Sequence, residues 1–180
     1  AALDGSDLYA SDFERAHFYD ATFYEANLEN AILKRAGIAG ATFNEANLKR
    51  VDLSYIFEES GDAITSFVSA DLRGASLRNA YLLCATTNFI DANLEDANLE
   101  NAEFYKLLEF FSANLRGANM RGMKFHHVDF NDADLRGACL DSISNLVVAS
   151  FEGTIVTSKE KAIIEAAISS ITPSFKLKEK

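Results

Sequence analysis

Large apolar residues recur at every fifth position over the first third of the chain: Leu3, Leu8, Phe13, Phe18, Phe23, Leu28, Leu33, Ile38, Phe43, Leu48 and Leu53. Two places before each stands a small or β-branched residue, from Ala1, Ser6 and Ser11 through Ala16, Ala21, Ala26, Ala31, Ala36, Ala41 and Ala46 to Val51. An α-helix advances about 100° per residue, so a period of five scatters its large side chains around the whole circumference. A continuous strand sends alternate ones to opposite faces. Neither builds a one-sided core. The pattern suits a chain that bends once per repeat, always in the same sense, so that every central residue points at a common axis. Such a fixed short period marks a solenoid.

The flanking positions are Asp, Asn, Glu, Arg, Lys, Tyr or Gly, as in Ala46-Asn47-Leu48-Lys49-Arg50, and are expected to face water. One triplet recurs throughout: Ala26-Asn27-Leu28, Ala70-Asp71-Leu72, Ala92-Asn93-Leu94, Ala97-Asn98-Leu99, Ala113-Asn114-Leu115 and Ala133-Asp134-Leu135. In these residues the chain resembles the pentapeptide-repeat family, whose pattern is Ala, then Asp or Asn, then Leu or Phe, then two variable residues. The resemblance covers about residues 1–156. It implies an all-β solenoid, a right-handed quadrilateral β-helix with four repeats per coil, here about 7–8 coils, with a C-terminal capping α-helix.

The phase breaks test that expectation. Central residues resume at Phe67, Leu72, Leu77 and Leu82, then at Phe89, Leu94, Leu99 and Phe104. A third run holds Phe110, Leu115, Met120, Phe125, Phe130, Leu135 and Leu140, and a last one Leu146, Phe151 and Val156. With extra residues absorbed as corner bulges, Phe23, Phe43, Phe67, Phe89, Phe110, Phe130 and Phe151 fall on one side as a structural ladder, with Leu3 beneath. The fourteen residues from Leu53 to Phe67 fit one intervening repeat plus four inserted residues. A spacing of about 4.8 Å per coil makes the rod about 36 Å long. The same register stacks Glu29 under Lys49, Glu95 under Arg116 and Glu100 under Arg121, opposite charges that support it. It also stacks like charges: Arg15 under Arg35, Glu25 under Glu45 and Arg116 under Arg136.

The chain therefore divides into a β-helix over 1–156, with an inserted loop at about 54–66, a capping helix over 157–172, and a tail over 173–180. Thr157 and Glu160 have capping-box spacing, Ile163, Ile164, Ala167, Ile168 and Ile171 share one helix face, and Pro173 is a stop. An apolar-faced helix after the last coil covers the open end of the core, or else supplies a dimer contact. The first coil shows no equivalent cap. With 48% apolar residues, one domain has enough core to fold alone. Cys84 is expected at a corner bulge and Cys139 on the outside, too far apart to bond.

Chemistry is sparse. There is no phosphate-cradling Gly loop, no zinc-type His-Glu spacing and no nucleophile elbow, so no catalytic residue, cofactor or metal is expected. His17, His126 and His127 read as outward surface residues, and the recurrent Asp and Asn as bend formers. The candidate partner contacts are Tyr55, Phe57, Glu58, Glu59 and Asp62 in the inserted loop. The competing reading of that loop is a plain bulge with Ile56 or Ile64 plugging the core. Tyr9, Tyr19, Tyr24, Tyr105 and Phe111 are outward by register.

A net charge of −10 argues against direct nucleic-acid binding, and no apolar run is long enough to span a membrane. No signal peptide is visible. This favours a soluble, cytoplasmic protein over a lumenal or periplasmic one, which would require Ala1 to be a processed N-terminus. The function expected is a non-enzymatic scaffold that binds another protein, with a homodimer through a terminal face as a further option. The resemblance adds two alternatives: a DNA mimic that binds a type II topoisomerase such as gyrase, as some family members do, or the β-helix domain of a larger multidomain protein or effector. A duplex of about 36 Å carries roughly 21 negative charges. Against that the chain's −10, with cations interleaved, is about half strength.

Overall fold

Each repeat closes on a four-residue turn. In Leu3-Asp4-Gly5-Ser6 the Ser6 N–H donates to the Leu3 carbonyl at 3.2 Å and Gly5 has φ 63°. The same bond recurs from Ala31 to Leu28, at 2.9 Å with Asn30 at φ 60°, and from Ala113 to Phe110, at 2.9 Å with Ser112 at φ 56°. A positive φ at the third turn residue is the type II signature. A non-glycine residue there costs about 1–2 kcal/mol. The neighbouring coils hold it in place: the Asn30 N–H, for example, donates to the Lys49 carbonyl at 2.9 Å.

Where an Asp or Asn precedes the central residue it braces the turn, and an Asn acts twice. The side-chain oxygen accepts from the N–H two residues on, as Asp52 does from Ser54 at 2.9 Å and Asn98 from Glu100 at 3.0 Å. An Asn amide also donates to the coil below, Asn27 Nδ2 to Asp7 at 2.9 Å and Asn47 Nδ2 to Asn27 at 3.0 Å.

The computed structural model describes residues 1–58, 62–83, 86–144 and 146–169, and in it these turns wind the chain into a parallel, four-sided β-solenoid. Face 1 pairs Ala2, Thr22, Thr42, Ser66, Asn88, Glu109, Asp129 and Ser150 in one ascending ladder. Face 2 runs from Asp7 through Asn27, Asn47, Asp71, Asn93, Asn114 and Asp134 to Ile155, and face 3 from Asp12 through Ile32, Asp52, Ser76, Asn98 and Asn119 to Cys139. Face 4 pairs His17 with Gly37 and, higher, Phe57, Tyr81, Glu103, Lys124 and Ser144. The longer strands are β1 (Phe57–Glu58), β2 (Ile64–Ser66), β3 (Tyr81–Leu82), β4 (Thr86–Asn88), β5 (Glu103–Glu109), β6 (Lys124–Asp129) and β7 (Ala149–Ser150).

Inside, alanines line the corners and the central residues fill the axis, almost all fully buried from Ala21 upward. The phenylalanine rings of face 1 stack: Phe23 on Phe43 at 4.7 Å, Phe43 on Phe67 at 5.0 Å, Phe67 on Phe89 at 4.8 Å and Phe89 on Phe110 at 5.2 Å. Phe130 and Phe151 continue the column at 5.3 Å each. Such pairs add about 0.5–1.5 kcal/mol each beyond the area they bury.

At the top, Ser158–Ser169 form α1. Glu160 accepts the Thr157 N–H at 2.8 Å, and Thr157 Oγ1 accepts the Lys159 N–H at 3.3 Å, completing a capping box. Ile164 and Ile168 are buried, and Ile163 and Ala167 pack beside them. Residues 170–172, where the sequence predicts the helix to continue, Pro173, the tail and Cys84 lie outside the described residues. Cys139 is free. At the bottom, Leu3, Leu8, Phe13 and Phe18 are only partly buried.

Candidate interaction surface

The ladder of face 1 climbs by 20 residues per coil where the repeat is uninterrupted, by 24 from Thr42 to Ser66, by 22 from Ser66 to Asn88 and by 21 from Asn88 to Glu109. Every extra residue falls at the same corner, between faces 4 and 1, because the other three faces keep step. That corner swells into a ridge. Thr65, Thr87, Leu108 and Val128 fill its inside, whereas Ile64 is exposed; Ile56 is buried in the core at the other end of face 4, in the row of Ala36 and Ala80, so Ile56 and not Ile64 joins the core.

Beside it an aromatic column runs up the outer side of face 4, with Phe57 and Tyr81 on the face 4 ladder and Tyr105 and His126 two residues beyond it, toward the corner. Phe57 stacks on Tyr81 at 5.3 Å, Tyr81 meets Tyr105 edge-on at 5.1 Å, and Tyr105 stacks on His126 at 4.5 Å. His126 is thus half-buried in a stack rather than a free surface imidazole. Its Nε2 lies 3.7 Å from Glu103, which is bonded to Lys124 at 2.8 Å. Burial alone would push the Glu103 carboxyl up, but hydrogen bonds from Lys124 and Tyr105 outweigh it and hold it below the usual range. The Tyr105 hydroxyl is driven well up by its hydrogen bond with Tyr81, then by Glu103. Beside the column Ile64 and Leu107 stand exposed at matching register positions.

The five loop residues expected to meet a partner are divided by the fold. Phe57 and Asp62 sit at the ridge, Phe57 half exposed in the stack and Asp62 bonded to Lys106 at 3.2 Å. Tyr55 belongs to the neighbouring corner, with the Lys34 and Arg35 cations each 5.7 Å from its ring centroid. Glu58 takes the register of Leu82, a core position in the next coil, and Glu59 lies outside the described residues. Tyr81 was not singled out by sequence. Its signal was the 24-residue step from Phe57, legible only once the inserted residues are assigned to one corner.

Charge is distributed unevenly. Lys49, Arg50, Arg73, Arg116 and Arg136 share the corner between faces 2 and 3, and Arg15, Lys34, Arg35, Arg78 and Arg121 the corner between faces 3 and 4. Most are neutralised locally, though seldom by the partner expected from vertical stacking. Glu29 pairs with Arg50 rather than Lys49, Lys49 with Asp71 at 3.3 Å, and Glu100 with Arg78 below it at 3.2 Å rather than Arg121. Glu95 and Arg116 form no ion pair among the described residues. Arg50 reaches diagonally, and the ladder carboxylates two residues before some arginines are nearer: Arg136 forks onto Asp134, through Nε at 2.9 Å and Nη2 at 2.5 Å, and holds that carboxyl down. Among the described residues no cluster of three or more His, Cys, Asp or Glu is arranged to hold a metal, and no helix is long and apolar enough to cross a membrane.

The family model described as pentapeptide repeats matches in eight copies, over residues 1–35, 65–106 and 109–142. The chain belongs to the pentapeptide-repeat family. No curated protein matches it. Among solved structures it is similar to HetL of the cyanobacterium Nostoc sp. strain PCC 7120, a pentapeptide-repeat protein involved in heterocyst differentiation regulation. The identity is 22%, the match covers 86% of this chain and 61% of that one, and the TM-score is 0.31. It is also similar to the pentapeptide-repeat protein Rfr23 of the cyanobacterium Cyanothece 51142, at 21% identity, covering 87% and 88%, with a TM-score of 0.33. A third likeness is to QnrB1, a plasmid-mediated fluoroquinolone resistance protein, at 16% identity, covering 98% and 87%, with a TM-score of 0.26. At those scores none of the three bears on what this chain binds.

Proposed function

We propose that this pentapeptide-repeat chain is a non-catalytic scaffold that binds another protein through the swollen corner between faces 4 and 1. The observation that carries this reading is the outward column of Phe57, Tyr81, Tyr105 and His126, stacked through four coils with exposed Ile64 and Leu107 beside it. Aromatic rings contiguous on a rigid surface are the composition of a contact patch, whereas singly scattered ones are ordinary. Nothing in the core requires them there, since the axis is already filled by its own phenylalanines.

Mimicry of a DNA duplex fits less well. A duplex is negative around its whole circumference, whereas ten of the twelve cations in residues 1–156 line the two corners beside face 3.

A pulldown from the source cell, comparing wild type with Phe57→Ser/Tyr105→Ser and analysed by mass spectrometry, tests the proposal. A partner retained by wild type and lost with the double variant supports the corner as the contact. An identical set of captured proteins from a folded variant overturns it.

A further inference from the structure

The edge between faces 1 and 2 differs from the other corners of the rod. Its first turn position carries Tyr24, Asn44, Val68, Ile90, Phe111 and Asn131, one above another in successive coils. Phe111 and Tyr24 are 40% and 42% exposed and Val68 and Ile90 partly so, and an apolar strip interrupted at Asn44 and closed by Asn131 faces solvent there. Acidic groups flank the strip on both sides. Glu25, Glu45, Asp91 and Asp132 occupy the second turn position, all exposed, and Glu109 and Asp129 stack on face 1. Neither this edge nor face 1 bears a lysine or arginine.

Several carboxylates elsewhere are already compensated, although Glu95 and Asp96, beside the cations of the next corner, are in no ion pair among the described residues either. Glu14, Glu29, Asp71, Glu100, Glu103 and Asp134 each have a cation within 4.0 Å. No carboxylate of this edge is in an ion pair among the described residues. The uncompensated charge is felt locally. Burial and then the Asp129 charge push the Glu109 carboxyl above the usual range, and the hydrogen bond to Glu45 and the charge of Glu25 raise the Tyr24 hydroxyl. A cation brought to this edge therefore meets carboxylates not already engaged elsewhere, over an apolar surface that gains from being covered.

We infer that the edge between faces 1 and 2 is a docking surface for a lysine- or arginine-rich segment of another protein that also carries apolar side chains. The apolar strip accepts the uncharged side chains, and the rows on either side receive the cations. The strip from Tyr24 to Asn131 spans five coil steps, about 24 Å at the usual strand spacing. An extended segment of roughly seven or eight residues covers it. This surface is distinct from the aromatic corner, on the far side of face 1.

Fluorescence anisotropy of a labelled lysine-leucine peptide, with oligolysine of equal charge as the second probe, tests the inference on the full chain. The lysine-leucine peptide should bind wild type more tightly than oligolysine does. Glu45→Gln/Asp91→Asn should weaken it at least tenfold, and Phe111→Ser should remove most of its advantage over oligolysine. Glu95→Gln/Asp96→Asn, the same charge change one corner further along, and Phe57→Ser at the aromatic corner should leave it unchanged, so that failure here and failure of the corner reading are separable. Circular dichroism confirms that each variant is folded. Equal weakening by both neutralised pairs would mean attraction to net charge alone and overturns the site, as does oligolysine binding as tightly as the mixed peptide.

Discussion

Glu109 shows how one side chain is set by its place in a ladder. It sits directly beneath Asp129 on face 1, partly buried, and no cation reaches it among the described residues. Burial and that neighbouring charge raise its pKa. A raised folded value means that the ionised form disfavours the fold at neutral pH, and that this cost vanishes below the unfolded glutamate value of about 4.3. Glu109→Gln should therefore raise the melting temperature at pH 7, with the advantage shrinking to nothing as pH falls below about 4. Thermal unfolding across pH 3–8 checks the sign, and a variant less stable than wild type at pH 7 would contradict it.

At the scale of the element, α1 is a lid whose placement depends on its first turn. Glu160 is buried, which alone would raise its carboxyl, but hydrogen bonds from the Thr157 hydroxyl and backbone hold it below the usual range. The sign is opposite to that of Glu109: the stabilisation is complete above about pH 4.3 and is lost as pH falls through the lower folded value. Thr157→Ala should cost about 1 kcal/mol at neutral pH, measured by urea unfolding. Because the helix covers the core with Ile164 and Ile168, the loss should appear in the global transition as well as in helix signal. A capping box was legible in Thr157 and Glu160 because its partners are three residues apart. What the helix lies on was a matter of the last coil, Leu140, Leu146 and Phe151.

For the molecule as a whole, stability is a sum over neighbouring coils, and the two ends are unlike. The upper end carries α1. On the underside the N–H groups of Asp7, Asp12 and His17 find no acceptor among the described residues, whereas one coil higher Asn27, Ile32 and Gly37 donate to Ser6, Ser11 and Ala16 at 2.9 Å each. Amide exchange followed by NMR should show Asp7, Asp12 and His17 fast, Asn27 and Ile32 slower, and the middle coils, at Asn93 and Asn98, slowest. Uniform protection across residues 1–156 of this 180-residue chain would contradict an ordering set by the coil-to-coil hydrogen bonds each N–H makes.

How much of this was legible in the amino-acid order follows from the range of each interaction. The period of five, the buried alanines and the phenylalanine column were readable because each depends only on which way a repeat bends, a property of five consecutive residues. The Asp and Asn before Leu or Phe were readable for the same reason, since their first hydrogen bond is two residues away. The charge pairs were not. Glu29 reaching Arg50 on a diagonal, and Glu100 taking Arg78 below it rather than Arg121 above, depend on side-chain length and direction across the gap between coils, which stacking order alone does not decide. The corner that collects every inserted residue, the stack it builds from Phe57, Tyr81, Tyr105 and His126, and the sorting of cations away from the edge between faces 1 and 2 were likewise decided in three dimensions. The sequence by itself determined the coil; only the closing of coil on coil, which brings residues about 20 apart within hydrogen-bonding distance, decided what its outer surfaces are.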